Sequence, residues 1–471
     1  MQSFLGDLLA QRAGAQFDLH EKYLNRQMVR VLRTIGYDRN YVRAEGPYLY
    51  DEAGTRYLDL LSGWGVFALG RNHPTISAAL KDVLDADLPN LVQMDVSLLA
   101  GLLAEELVRV APHDGLSKVF FANSGTETVE GAMKLARYAT GREKILFCSH
   151  GYHGLTYGAL SLNGEHQFRE GFGPFLGGCA EIPFDDLAAL ERALAAKDVA
   201  AFIVEPIQGK GVNMPSDGYL SAAAELCRKH GTLFIADEVQ TGLGRTGKMW
   251  AVEHWDAEPD MLLAAKALSG GHVPVGAIMM RPWIFDAVFD RMDRAVVHGS
   301  TFGKNNMAMA AGLATLHVLR EEKLVENAAR IGDRLISDFN AFIDRHEFVH
   351  KVRGKGLMIA IEFGKPKSLK LQAAWRLLET ANESLFSQMV LVPLFSDHHI
   401  LTQVAGHGQH TIKLLPPLII NDQDADWIVE GFDSAIGDCH KVPGAMWDLG
   451  RRLAGFAMGS GKQAPKRPAA E

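Results

Sequence analysis

Cysteine is scarce in this chain: four residues in 471, Cys148, Cys179, Cys227 and Cys439, stand far apart and without metal-ligand spacing. That excludes a disulfide framework and a thiolate metal centre, and it points to a reducing cytoplasm with the thiols packed as small hydrophobes. Long apolar runs are missing too. No stretch reaches the roughly 18 consecutive apolar residues of a membrane-spanning helix, and residues 1–10 lack the basic start and continuous apolar centre of an export signal. Nor is there a large excess of one charge: 48 basic against 56 acidic residues leave a net charge of −8, with no basic stripe. Nucleic acid is therefore not an expected partner, and a small molecule is.

What the chain does have is apolar residues, 47% of the total, enough for a large core shared by two or three units. Across residues 70–315, short apolar runs alternate with longer amphipathic stretches, the pattern of an α/β fold on a mainly parallel sheet. Strands are expected over 118–123, 144–148, 200–205, 232–237 and 261–265. Residues 1–69 read as an N-terminal segment and a hairpin, turning at Glu52 to Gly54, that belong with a smaller domain. Residues 316–440 read as the C-terminal, α+β part of that small domain, with strands at 357–363 and 411–415. Residues 441–471 differ in character: Trp447, Leu449, Leu453 and Phe456 lie among Arg451 and Arg452, and a polar tail expected to be disordered follows. Such an amphipathic segment either docks on its own protein or makes a weak contact with a membrane surface.

The chemistry is expected where the apolar runs end. Lys266 closes the run 261–265 and is followed by Gly270 and Gly271, a place where an amine can be held for covalent attachment. Asp237 closes the run 232–237, 29 residues upstream, about the length of one strand–helix–strand unit. In open α/β sheets ligands gather beyond the carboxyl ends of the strands, so Asn123, Glu205, Asp237 and Lys266 are expected to converge there. Ser124, Gly125 and Thr126 stand between a strand and a helix whose Val129, Ala132, Met133 and Ala136 share one face. Such a helix start offers free N–H groups and a positive dipole end to a phosphate; alternatively, Ser124 or Thr126 only caps the first turn.

Further blocks keep these residues company: Ser149-His-Gly-Tyr152-His153-Gly154, Glu205-Pro-Ile-Gln-Gly209, Asp237-Glu-Val-Gln240 with Gly247 beyond it, and Gly299-Ser-Thr301-Phe-Gly303. In this order the motifs resemble the class III aminotransferases, the ornithine and putrescine branch above all, over about residues 45–420. The resemblance implies the pyridoxal-phosphate-dependent fold type I, a large domain on a mainly parallel sheet of the seven-stranded type with a smaller α+β domain. It implies pyridoxal 5′-phosphate as cofactor, Lys266 as the linking amine and proton carrier, and Asp237 as the partner of the pyridine nitrogen. By the same resemblance Ser124, Gly125 and Thr126 take the phosphate. Thr301 of a neighbouring subunit adds a hydroxyl, so a homodimer with shared active sites is expected. Tyr152 is to stack on one face of the ring and Val239 to pack on the other, Gln240 to bond near the phenolic oxygen, and His153 to lie close by. No metal enters this set.

Two departures from the family pattern, and one apolar stretch near the expected entrance, bear on the site. Lys413 stands where the family usually carries an arginine that binds an α-carboxylate, an arginine masked by a glutamate matching Glu205 when an ω-amine enters. Lysine lacks the planar fork that grips a carboxylate twice, so recognition of 2-oxoglutarate is expected to weaken or change geometry, with Arg353 either a substitute or structural. Lys304 replaces a usual glycine and either adds charge near the phosphate or solvates a helix start. Trp64, with Phe67, either offers apolar surface to a substrate at the entrance or closes the core between the two units. The expected function is transfer of an amino group between a primary ω-amine, such as putrescine or ornithine, and an oxo acid. A hydrophobic, lipid or terpenoid amine or aldehyde is the alternative substrate. An aminomutase, decarboxylase or epimerase is the alternative chemistry on the same coenzyme, and a non-catalytic binding protein the alternative from another class.

Overall fold

Three sheets carry the chain in the computed structural model, which describes residues 4–381, 385–406, 410–441, 444, 447 and 450. β1 (Tyr41–Glu45), β2 (Tyr48–Asp51) and β3 (Arg56–Asp59) form an antiparallel meander, with a turn after Asp51 closed by N–H bonds from Ala53 and Thr55 to the Asp51 carboxylate. β4 (Lys118–Ala122), β5 (Lys144–Cys148), β6 (Cys179–Ile182), β7 (Val199–Val204), β8 (Leu233–Asp237), β9 (Met261–Ala264) and β10 (Gly276–Met280) make a seven-stranded sheet in the order β4-β10-β9-β8-β7-β5-β6. β11 (Val349–Lys355), β12 (Met358–Phe363), β13 (Ile400–Leu401), β14 (Gln403–Val404) and β15 (Thr411–Leu414) follow. β13 crosses back to pair in parallel with β3, and the other four form a sheet in the order β11-β12-β15-β14.

In the large sheet every neighbouring pair from β9 to β6 is parallel, and only β10 runs against its neighbours β9 and β4. β7, β8 and β9 are buried along their whole length because helices cover both faces, which is why they appear in the sequence as unbroken apolar runs. The helix Gly125–Thr140 lays Val129, Ala132, Met133 and Ala136 on Ile145, Phe147 and Ile203. The helices Tyr219–His230 and Asn306–Glu321 pack on the other face. Each fully buried aliphatic or aromatic side chain contributes about 1.5–3 kcal/mol relative to exposure, so this double cover makes the strand ends a rigid platform.

Five expected strands match β4, β5, β7, β8 and β9 to within one residue at each end. β6 and β10 were not expected. β10 is a short apolar run without alternation, and period alone cannot tell such a run from a helix start. Of the two alternatives for the C-terminal segment, Trp447 takes the first: it is buried against Phe348, ring centroids 6.2 Å apart, and its Nε1–H donates to the Cys439 carbonyl. At this residue the segment docks on its own protein. Leu449, Leu453, Phe456 and the tail lie outside the described residues. No helix among the described residues is long and apolar enough to cross a membrane. All four cysteines are free thiols.

Candidate active site

The carboxyl ends of β4, β5, β7, β8 and β9 bring the expected residues to one edge of the large sheet. β8 and β9 are direct parallel neighbours with Asp237 level with Leu263, so Lys266 emerges just beyond the end of its strand on the Asp237 side. Lys266 has a backbone φ of +39°, a left-handed conformation that costs a residue with a Cβ about 1–3 kcal/mol and persists only where the surroundings enforce it. The glycine pair after it has a packing cause: a Cβ on Gly270 would fall 2.1 Å from Ile76 Cδ1, and one on Gly271 2.4 Å from Phe67 Cδ1. Burial lowers the Lys266 pKa, against the opposing pull of the Asp237 and Glu205 carboxylates, which favours the uncharged, nucleophilic amine.

Asp237 is buried and fixed at both oxygens. Oδ2 meets His153 Nδ1 at 2.8 Å, and Oδ1 accepts the Val239 N–H at 3.1 Å. Burial alone would keep His153 neutral, yet the hydrogen bond and charge of Asp237 outweigh it and raise the imidazole pKa. His153 is thus a direct partner of Asp237, and its Nε2 is buried without a partner. Glu238 points the other way, to the Thr241 hydroxyl and the Val252 N–H, as strand alternation requires. Burial pushes its carboxyl up to about 7.

At the end of β4 the Ser124 hydroxyl caps the helix Gly125–Thr140 by accepting the Glu127 N–H. The Glu127 carboxylate returns to the Asn123 backbone and side chain. The first helical N–H groups, those of Gly125 and Thr126, have no acceptor among the described residues, the arrangement that receives an anion. Gly125 must lack a side chain because a Cβ there would lie 2.7 Å from Val239 Cγ1. Thr126 Oγ1 shares a hydrogen bond of 2.7 Å with Thr156 Oγ1, which donates in turn to Glu130. A ring-and-phosphate cofactor fits this set: an open helix start for the phosphate, Val239 against Gly125 for one ring face, and a fixed buried carboxylate and the half-buried Lys266 amine at the far end.

The entrance is built around Glu205, Lys413 and Gln240. Both Glu205 oxygens are taken by backbone N–H groups, Oε1 by Tyr152 at 2.8 Å and Oε2 by Gly209 at 2.7 Å. The pairing of Glu205 with residue 413 implied by the resemblance is absent. Lys413 Nζ donates instead to the Gly209 carbonyl at 2.7 Å and to Gln240 Oε1 at 3.2 Å. The Gln240 amide then donates to the Trp64 carbonyl, and Trp64 Nε1–H to Gln403, which pairs with Lys413 across β14 and β15. Trp64 itself is 59% exposed and so does not close the core. Arg353 is structural: it grips the carbonyls of Gly211 and Val212 and pairs with Glu362.

Thr301 is not brought to Thr126. It is exposed and borders a cavity of about 330 Å³ with Leu88, Val92, Ser300 and Lys304. The Asn123 amide reaches this region through Ser300 Oγ, at 2.6 Å. Sequence reasoning missed Lys210, Phe168, Gln403 and the Thr156–Glu130 pair. Only Lys210 carried a signal, as the residue directly after the Glu205 to Gly209 block.

Comparison with known proteins shows the family and the fold. The model of the family "Aminotransferase class-III" matches residues 34–436, and the chain belongs to that family, whose members use pyridoxal 5′-phosphate. The chain is 36% identical over 464 residues to the aminotransferase PigE of Serratia sp. (strain ATCC 39006), a match that takes in 91% of this chain and 54% of that protein. The chain thus spans about half the length of this curated relative. Among solved structures it is similar to the ornithine aminotransferase of Toxoplasma gondii, with TM-score 0.81 and 29% identity, over 94% of this chain and 100% of that one. It is likewise similar to a PLP-bound amine transaminase from an uncultivated Pseudomonas species, with TM-score 0.75 and 29% identity, over 85% and 95% of the two chains.

Proposed function

We propose that this protein is a pyridoxal-phosphate-dependent aminotransferase that moves an amino group between a primary ω-amine, such as putrescine or ornithine, and an oxo acid. The observation that carries the reading is Lys266, half-buried and strained just beyond the end of β9, beside a carboxylate locked by His153 and Val239. The coenzyme supplies an electron sink for the carbanion left when the substrate carbon loses its proton. Asp237 holds a positive charge at the ring nitrogen, and His153 keeps that carboxylate oriented. The Gly125 and Thr126 N–H groups and the Thr126 hydroxyl hold the phosphate. Val239 would pack on one ring face and Tyr152 over the other, with Gln240, held by Lys413 and the Trp64 carbonyl, near the phenolic oxygen. Lys266 would hold the coenzyme through its amine and, when free of it, would carry the proton at the amine-bearing carbon of the substrate.

In this reading the enzyme is a cytoplasmic homodimer in which the partner copy's threonine at position 301 completes the phosphate site. The exposed apolar side chains near Thr301, among them Val96 and Phe302, support it. Residues 70–315 are the coenzyme domain, and residues 1–69 with 316–440 the small domain, a division supported by the separate sheets. A second reading, a hydrophobic amine or aldehyde as substrate, is favoured by the exposed Trp64 at the mouth. A panel of amines and oxo acids, run on coenzyme-loaded protein, separates them. The reading expects bleaching of the coenzyme absorbance by putrescine or ornithine, recovery with an oxo acid, and loss of both in Lys266→Ala. Turnover of long-chain amines alone would favour the second reading, and no response to any amine would remove both.

A further inference from the structure

The lysines around Glu205 are not equivalent. Lys266 belongs to the chemistry. Lys413 is only 4% exposed, and its ammonium is committed to the Gly209 carbonyl and to Gln240. Lys210 differs from both. It is half-buried, and its Nζ stands 4.8 Å from the centroid of the Phe168 ring and 5.8 Å from that of Tyr152. That Nζ has no hydrogen bond or ion pair among the described residues. The Glu165 and Glu205 carboxylates act on it only from a distance: neither forms an ion pair with it, Glu205 being engaged by two N–H groups and Glu165 by His150.

The backbone that presents Lys210 is held on both sides. Before it, Gly209 gives its N–H to Glu205 and its carbonyl to Lys413. A Cβ there would lie 2.7 Å from Gln240 Oε1. After it, Gly211 and Val212 are clamped by the Arg353 guanidinium. Gln208 closes the loop by bonding to Asn213 at backbone and side chain, and the Asn213 amide donates to the Lys210 carbonyl. An amine carried on so firmly held a backbone, lying over aromatic faces, partly withdrawn from water and directly ion-paired with no carboxylate among the described residues, is set up to receive an anion. Lys413 feels its charge, as it does that of Lys266, so the three amines share one electrostatic neighbourhood.

We propose that Lys210 is the specificity-determining residue that receives the carboxylate of the oxo-acid acceptor, and that Lys413 is a positioning residue that holds Gly209, Gln240 and through Gln240 the Trp64 loop. The inference rests on the aminotransferase reading above and assigns its acceptor. A lysine takes a carboxylate as a point charge rather than by a two-bond fork, which accounts for a site that does without an arginine at position 413.

The test uses coenzyme-loaded full-length protein, with glutarate as a non-reacting probe measured by calorimetry and with 2-oxoglutarate and hexanal as acceptors. In Lys210→Met the glutarate dissociation constant and the KM for 2-oxoglutarate are expected to rise about tenfold or more, as for a lost charged hydrogen bond, and the KM for hexanal several-fold less. Lys210→Arg keeps glutarate binding. Lys413→Met raises the KM for both acceptors together, because it loosens the wall they share. Unchanged glutarate binding in Lys210→Met, or equal rises for charged and uncharged acceptors in that variant, would overturn the proposal. Lys210-dependent glutarate binding in a protein that no amine bleaches would leave this carboxylate site standing and remove the aminotransferase reading.

Discussion

Burial and neighbouring charges act on each amine of the site separately. Burial first, then the charges of Lys266 and Lys210, push the Lys413 amine down to about 7, while an unfolded chain keeps that proton to far higher pH. Below about 7 the lysine is charged in both states, and the cost of burying the charge weighs fully on the fold. Above it the unfolded chain binds the extra proton, so stability contributed at this site rises with pH, by up to about 1.4 kcal/mol per unit. Lys413→Met carries no proton in either state. Urea unfolding near neutral pH and about two units higher should show wild type gaining on the variant as pH rises; a constant difference would disprove the account. Lys266 and Asp237 were legible in the sequence because each ends an apolar strand. Lys210 was not, because the rings beneath it come from residues 152 and 168, far back in the chain.

Elements meet at points where no side chain fits. The helix Gly125–Thr140 approaches Val239 so closely that Gly125→Ala must move either the helix start or the residue expected against the coenzyme ring. Such overpacking costs about 1–3 kcal/mol. The expected outcome is a lower Tm for the coenzyme-free protein together with coenzyme affinity reduced about tenfold, the affinity lost by a shift worth roughly 1.4 kcal/mol at the phosphate site. Thermal unfolding and a coenzyme titration measure the two. Wild-type affinity in the variant would mean that the helix start does not shape the site. The cap at Ser124 and the helix after it could be read from spacing and side-chain type. The hazard at Gly125 could not, since Val239 lies on the loop after β8. β10 escaped the sequence reading for a related reason: its antiparallel place between β4 and β9 is set by tertiary pairing and not by its own pattern.

At the scale of the whole molecule, one chain leaves its proposed phosphate site without Thr301, which lies instead at an exposed region where Val96 is 88% and Leu98 77% accessible. A shared-site dimer makes a sharp expectation for mixed subunits. Thr301→Ala alone should bind coenzyme about tenfold more weakly, the scale of one hydroxyl bond to a charged group. Mixing it with Lys266→Ala subunits should restore one site of wild-type affinity and activity, in which Lys266 comes from one chain and Thr301 from the other. Absence of any such recovery in verified mixed dimers would place Thr301 outside the site.

By itself the sequence determined the family and where its chemistry is expected: a lysine and a carboxylate at the ends of apolar strands, a capped glycine-bearing helix start, and the motif order of the class III family. These are local properties, written in residue type and spacing, because strand ends and helix caps are formed by neighbours in the chain. Only the tertiary structure decided what each side chain is free to do. It joined His153 to Asp237 across 84 residues, occupied Glu205 with N–H groups, tied Lys413 to Gln240 and left Lys210 without a direct ion pair among the described residues. Whether a buried charge has a partner depends on atoms brought from distant parts of the chain, and no local pattern encodes that.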